Sequence, residues 1–186
     1  MSGLAAFNAA DRDQLARQLR ACLRADQWVR QLLALRPYPD VPSLLATAQE
    51  AAERMDDSDL QSALSAHPRI GERPSGAGAE AASSRREQSG VADGDPAMAA
   101  RLAAGNAAYE ERFGHVFLIR AAGRRAPELL AALEQRLGHD DGTERAVVKQ
   151  QLGEIAVLRL ERLLDTLAEQ GSTGLGSSEN GSVVAG

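Results

Sequence analysis

The stretch TERAVVKQQLGEIAVLRLERLLDTLAEQ, residues 143–170, reads as one helix opened by Thr143, the last and longest of the chain. Within it Ile155, Ala156, Arg159 and Leu163 lie a turn apart on a common face, the spacing of a helix with one side buried. The preceding chain supplies helices to cover that side. Pro127 starts one that runs to about Leu137, and Pro96, suited to a first helical turn, starts another to Phe113. Helical character also spans about Glu80 to Ser89. Further back, Asn8 reads as the N-cap of a helix to about Arg24, with Leu15, Leu19 and Leu23 every four residues. A second helix holds Trp28, Leu32 and Leu35 and is stopped by Arg36-Pro37-Tyr38-Pro39. Ser43 reads as the cap of a third, to about Met55, and Ser58 as the cap of a fourth, ending near Ala66.

Two stretches break the helical pattern. His67 to Gly78 contains two prolines and three glycines. After Gly114, Val116-Phe117-Leu118-Ile119 looks like a strand but has no partner strand, so it is read as a buried extended segment near residues 116–121. The expected fold is all-α: a single compact bundle of about eight helices over residues 1–170. The Gly/Ser-rich residues 171–186 are expected to form a disordered tail.

Composition narrows the function. Of 186 residues 44% are hydrophobic, but alanine inflates that figure, and the 3% aromatic content disfavours strands. A net charge of −5 gives no electrostatic reason to expect nucleic acid or an anionic membrane as partner. No secretory leader or apolar run of membrane-spanning length is seen, and Val183-Val184-Ala185-Gly186 is no peroxisomal Ser-Lys-Leu address, so a cytoplasmic location is expected. Cys22, the only cysteine, lies among apolar residues and reads as a buried thiol. Lys149, the only lysine, stands beside Gln150 and Gln151 in a polar stretch, a poor setting for a Schiff base. His67, His115 and His139 lack zinc-ligand spacing. There is no acidic loop for magnesium or calcium, no glycine-rich nucleotide motif and no Gly-x-Ser-x-Gly elbow. No metal and no cofactor are therefore expected, and acid–base chemistry remains.

Three segments carry polar residues that a plain bundle does not need. In Ser65-Ala66-His67-Pro68-Arg69-Ile70-Gly71-Glu72, proline pushes His67 out of the helical region and presents its ring at a backbone break. A simple C-terminal cap on the helix would explain the same histidine. In Ser83-Ser84-Arg85-Arg86-Glu87-Gln88-Ser89, a helix puts Ser84, Glu87 and Gln88 on one face, fit for the urea-like edge of a small ligand. Ser-x-x-Glu is equally a capping box. The third runs from Asn106 through Tyr109, Arg112 and Phe113 into the extended segment, whose backbone groups are available to a heterocycle. Asn106, Tyr109 and Phe113 themselves read as core. Arg159 either snorkels to water or faces a buried anion, and snorkelling is the simpler expectation.

Together these motifs resemble one family. His67-Pro68-Arg69-Ile70-Gly71, then Ser84-Arg85-Arg86-Glu87-Gln88-Ser89, then Asn106-x-x-Tyr109-x-x-Arg112-Phe113-Gly114-x-x-Phe117, and finally Leu158-Arg159-Leu160 are similar to the signature of the OHCU decarboxylases, OHCU being 2-oxo-4-hydroxy-4-carboxy-5-ureidoimidazoline. The likeness runs from about Phe7 to Leu167. It implies an all-helical, cofactor-free, cytoplasmic homodimer that converts OHCU to (S)-allantoin and carbon dioxide, the last step from urate to allantoin. It also implies His67 as proton donor, with Glu87 in the same machinery. Pro68, Ser84, Arg85, Arg86, Glu87, Gln88, the backbone of Phe117, Leu118, Ile119, Arg120 and Ala121, and Arg159 would bind substrate, Arg85 and Arg120 through main-chain atoms. A helical binding module, or a hydrolase in which His67 and Glu87 activate water, are the alternatives.

Overall fold

The computed structural model describes residues 1–70, 79–87 and 95–173. Nine helices and no strand occur among them: α1 (Gly3–Ala9), α2 (Arg12–Cys22), α3 (Asp26–Ala34), α4 (Val41–Glu53), α5 (Asp57–Ser65), α6 (Ala79–Glu87), α7 (Pro96–Phe113), α8 (Ala126–Arg136) and α9 (Asp141–Thr173). None of them is long and apolar enough to cross a membrane.

Aspartates cap most of the helices whose starts the sequence placed elsewhere. Asp11, Asp40 and Asp56 accept the N–H of Gln14, Ser43 and Asp59, so Ser43 sits inside the first turn of α4 and Ser58 inside that of α5. Asn8 caps nothing. Its Nδ2 donates to the Tyr38 carbonyl at 2.9 Å and its Oδ1 accepts the Tyr38 N–H at 3.0 Å, so α1 and α2 replace the single first helix expected. Leu35, read as part of the second helix, is the C-cap of α3 and is 53% exposed. Pro96 occupies the first turn of α7 as expected, and Gly114, at φ 73°, closes that helix in the left-handed conformation that favours glycine. α9 continues to Thr173, past the expected boundary at Gly171; residues 174–186 lie outside the described part.

α9 is the central element. α1 and α4 pack along it so closely that a Cβ added at Gly153 would lie 2.7 Å from the Gln49 side-chain amide. α3 joins α4 through Trp28, whose Nε1 donates to the Ala48 carbonyl at 2.8 Å inside the core. Asp59 of α5 accepts the N–H groups of Asp26 and Gln27 at 3.0 and 2.7 Å, tying α5 to the start of α3. Cys22 is buried as expected, and burial raises its thiol pKa to about 12.

The apolar interior forms two clusters. One joins α1–α5 and α9, the other joins α7 and α8 with Ile70. The non-helical segment 116–121 runs along the seam, sending Leu118 into the first cluster and Phe117, Ile119 and Ala121 into the second. These four are buried, as the sequence predicts, whereas Arg120 is exposed.

Candidate active site

A small cleft opens on that seam, lined by His67, Pro68, Ile70, Ser84, Glu87, Ile155 and the segment residues Phe117, Leu118, Ile119 and Ala121. Its polar groups come from separate elements. α5 ends at Ser65 with Ala66 as its C-cap, and the His67 N–H donates to the Leu64 carbonyl at 3.1 Å before Pro68 turns the chain away.

The His67 ring caps the end of α5 and also lines the cleft. Its Nδ1 lies 2.7 Å from the Ala63 carbonyl, which can only accept, so Nδ1 carries the proton and the ring caps the helix. The residue is half-buried overall, but its Nε2 is sealed from solvent and has no hydrogen-bond partner among the described residues. Burial, and then the positive charge of Arg159, push the imidazole pKa down to about 4, against smaller opposing effects of the Ala63 bond and Glu87. At neutral pH the cleft therefore meets a neutral ring with a bare Nε2 lone pair.

Ser84 and Glu87 share the inner face of α6 at 4% and 8% exposure. Ser84 is well inside the helix, so the pair is not a capping box. Glu87 meets Arg159 from the middle of α9, and Arg162 Nη1 approaches the same carboxylate at 3.5 Å. Arg159 also donates to the Cys22 carbonyl at 3.3 Å and the Ser84 hydroxyl at 3.4 Å. At 6% exposure it does not snorkel: with a carboxylate to bond its fork, burial wins over the route to water.

The remaining sequence candidates divide. Pro68 lines the cleft. The side chains of Arg85 and Arg86 are exposed, and Gln88 lies outside the described residues. Arg120 is also outside the lining, and its N–H donates to Gln151 Oε1 at 2.9 Å. Sequence reasoning missed Ile70 and Ile155 in the wall, and a second buried ionic cluster. There Glu144 accepts hydrogen bonds from Tyr109 and Arg136 and contacts His139 at 2.8 Å. Burial alone would raise the Glu144 pKa, but the bonds from Arg136 and Tyr109 outweigh it and hold the carboxyl below the usual range. No helical spacing marks these residues, because Arg136, His139 and Glu144 pair across the turn between α8 and α9 and Tyr109 joins them from 35 residues away.

No three His, Cys, Asp or Glu side chains among the described residues gather as a metal site would require. The sequence profile of the OHCU decarboxylase family matches residues 8–161. The chain is 32% identical over 131 residues, 69% of its length and 75% of the relative's, to a 2-oxo-4-hydroxy-4-carboxy-5-ureidoimidazoline decarboxylase of Amia calva. It is 30% identical over 126 residues to a protein of the same name from Haloferax volcanii, covering 67% of this chain and 73% of that one. The fold matches a solved OHCU decarboxylase in the presence of (S)-allantoin at a TM-score of 0.66 and 23% identity, over 84% of this chain and 99% of that one. An (S)-allantoin synthase structure gives 0.65 at 18% identity, over 87% of this chain and 54% of that one. A buried His–Glu–Arg cleft on an all-helical scaffold, a family profile spanning most of the sequence and relatives at this level of identity agree: the chain belongs to the OHCU decarboxylase family.

Proposed function

We propose that this protein is a carboxy-lyase that converts OHCU to (S)-allantoin and carbon dioxide in urate degradation, with His67 handling the proton. The observation that carries this reading is the unpartnered Nε2 of His67, sealed in a small cleft beside the Glu87–Arg159 pair. OHCU brings its own electron sink, because its carboxylated carbon adjoins a ring C=N carbon. As the carbon–carboxylate bond breaks, its pair forms a ring C=C bond and the C=N pair moves onto nitrogen, which takes a proton from water. The hydroxyl on the same carbon must then lose its proton to become a carbonyl, while the neighbouring carbon gains one.

Neutral His67 suits that transfer. Its Nε2 accepts the hydroxyl proton and returns it to carbon from one side of the ring, so the donor is charged by the substrate itself. The cleft excludes water around the leaving carboxylate. Glu87 is assigned to the hydroxyl or ureido N–H groups, Ser84 and Gln88 to the ureido end, and the backbone of the 117–121 segment to the ring. Arg159 is assigned to a ring oxygen that gains charge, and the carboxylate to apolar wall. A homodimer in the cytoplasm is part of the same reading, and sedimentation of the purified protein tests its assembly.

The deciding experiment adds purified protein to freshly generated OHCU. Accelerated carbon dioxide release with (S)-allantoin as product is expected. Ring opening without carbon dioxide would assign a hydrolase, and an unaltered decay rate would leave a binding module.

A further inference from the structure

The segment along the seam is held from behind. Arg136 of α8, 5% exposed, donates from Nη1 to the Leu118 carbonyl at 2.7 Å, and its guanidinium carbon lies 4.8 Å from the Phe117 ring centroid. Its Nε donates to Glu144 Oε1 at 2.9 Å, and its Nη2 contacts the same oxygen, so the carboxylate fixes the arginine that fixes the segment. Two residues on, Gln151 of α9 accepts the Arg120 N–H at 2.9 Å, and its amide is set by donation from Nε2 to Glu154 Oε1 at 3.1 Å. Alternate residues are thus anchored: 118 by α8 and 120 by α9. Phe117 and Ile119, which line the cleft, have no hydrogen bond on their backbone groups from any described residue.

We propose that Arg136 and Gln151 are positioning residues. They clamp the backbone of Leu118 and Arg120 so that the main-chain groups of Phe117 and Ile119 stay available to the substrate ring. Neither side chain lines the cleft, so each acts through the segment. The inference rests on the proposed decarboxylation for its substrate, but the clamp itself is a property of the free protein. The chemistry favours such an arrangement. A non-helical strip has no internal hydrogen bonds to stiffen it, and a loosely held backbone would lose much of its value as a binding edge through the entropy of ordering.

Gln151→Met removes the acceptor at nearly constant volume, so the packing around position 151 is kept. In the full-length protein this variant should raise the KM for OHCU about tenfold, as loss of an organising hydrogen bond would, with kcat changed less than about threefold. Amide exchange of the peptide spanning 116–122 should accelerate about tenfold without ligand. Gln151→Glu made together with Glu154→Gln keeps an oxygen for the Arg120 N–H and a donor beside it, and should recover both readouts. Arg136→Lys keeps a charge for Glu144 but cannot reach Glu144 and Leu118 together, and should move KM and exchange in the same direction as Gln151→Met. An unchanged KM, a fall in kcat alone, unaltered exchange, or a double variant no better than methionine would each overturn the clamp. If wild-type protein fails to turn over OHCU, the functional reading falls, and the exchange result alone then decides the clamp.

Discussion

Glu87 and Arg159, 72 residues apart in sequence, meet in a two-pronged ion pair: Nε to Oε1 and Nη2 to Oε2 are both 2.8 Å. Both side chains are buried, so each charge depends on the other for the solvation that water no longer gives. The pair holds α6 against α9 and fixes the polar end of the cleft before any substrate arrives.

Removing one member should therefore be costlier than removing both. Arg159→Met is expected to cost about 3–5 kcal/mol, because among the described residues Glu87 keeps only the longer contact to Arg162. Adding Glu87→Gln should restore a large part of that loss while activity stays absent. Urea unfolding of the two single variants and the double variant measures the coupling. Additive losses would mean the pair contributes little beyond its separate contacts.

Arg159→Lys tests how the arginine is used in turnover. A point ammonium cannot bond both carboxylate oxygens and a substrate oxygen that gains charge, so kcat should fall more than binding weakens. A large rise in KM at unchanged kcat would place Arg159 in ground-state binding instead.

His67→Asn offers an amide that can replace the Nδ1 donation to Ala63 but nothing in place of Nε2. Helicity and Tm should stay close to wild type while the rate falls by ~10²–10⁴-fold. A loss below tenfold would remove His67 from the proton-transfer role.

The low pKa of His67 bears on stability and on rate. Between pH 6.5 and about 4 the unfolded imidazole is protonated while the folded one stays neutral, so the unfolded chain binds more protons. Burying the neutral ring therefore costs nothing above pH 6.5, and stability is lost as pH falls towards 4, with a slope of up to about 1.4 kcal/mol for each pH step of one. Unfolding midpoints in the His67→Asn variant should lack this part of the acid slope. Because the proposed reaction starts from the neutral ring, kcat/KM should hold down through pH 6 and fade only towards 4. An alkaline limb between pH 6 and 7 would identify the imidazolium as the active form.

Lys149→Met should leave turnover intact, since no amine takes part in the proposed chemistry. The Lys149 ammonium donates to the Met55 carbonyl, so a stability loss of about 1 kcal/mol is expected alongside unaltered kinetics. A borohydride-trapped adduct on Lys149 would overturn the scheme.

Element type was written clearly in the sequence, and element edges less so. Asp40 and Ser43, or Asp56 and Ser58, are all good caps, and only the geometry of the first turn chooses between them. His67 was legible because proline acts on its immediate neighbour. Ser84 and Glu87 were legible because helical periodicity is local. That Arg159 would turn inward was not, because its partner lies on another helix and arginine on a partly apolar face ordinarily reaches water. Gln151 and Arg136 were hidden for the same reason: a polar residue that serves a distant backbone looks, in sequence, like one that serves the solvent.

Trp28 is the only tryptophan, sealed in the core and hydrogen-bonded to the Ala48 carbonyl across the α3–α4 joint. The molecule thus carries a single indole at one defined contact, and its emission, excited selectively over the two tyrosines, should be blue-shifted while that contact lasts. If the two apolar clusters melt together, the red shift of that emission will coincide with the loss of far-ultraviolet circular dichroism. If α7 and α8 loosen first, ellipticity will fall while the indole still reports an intact joint.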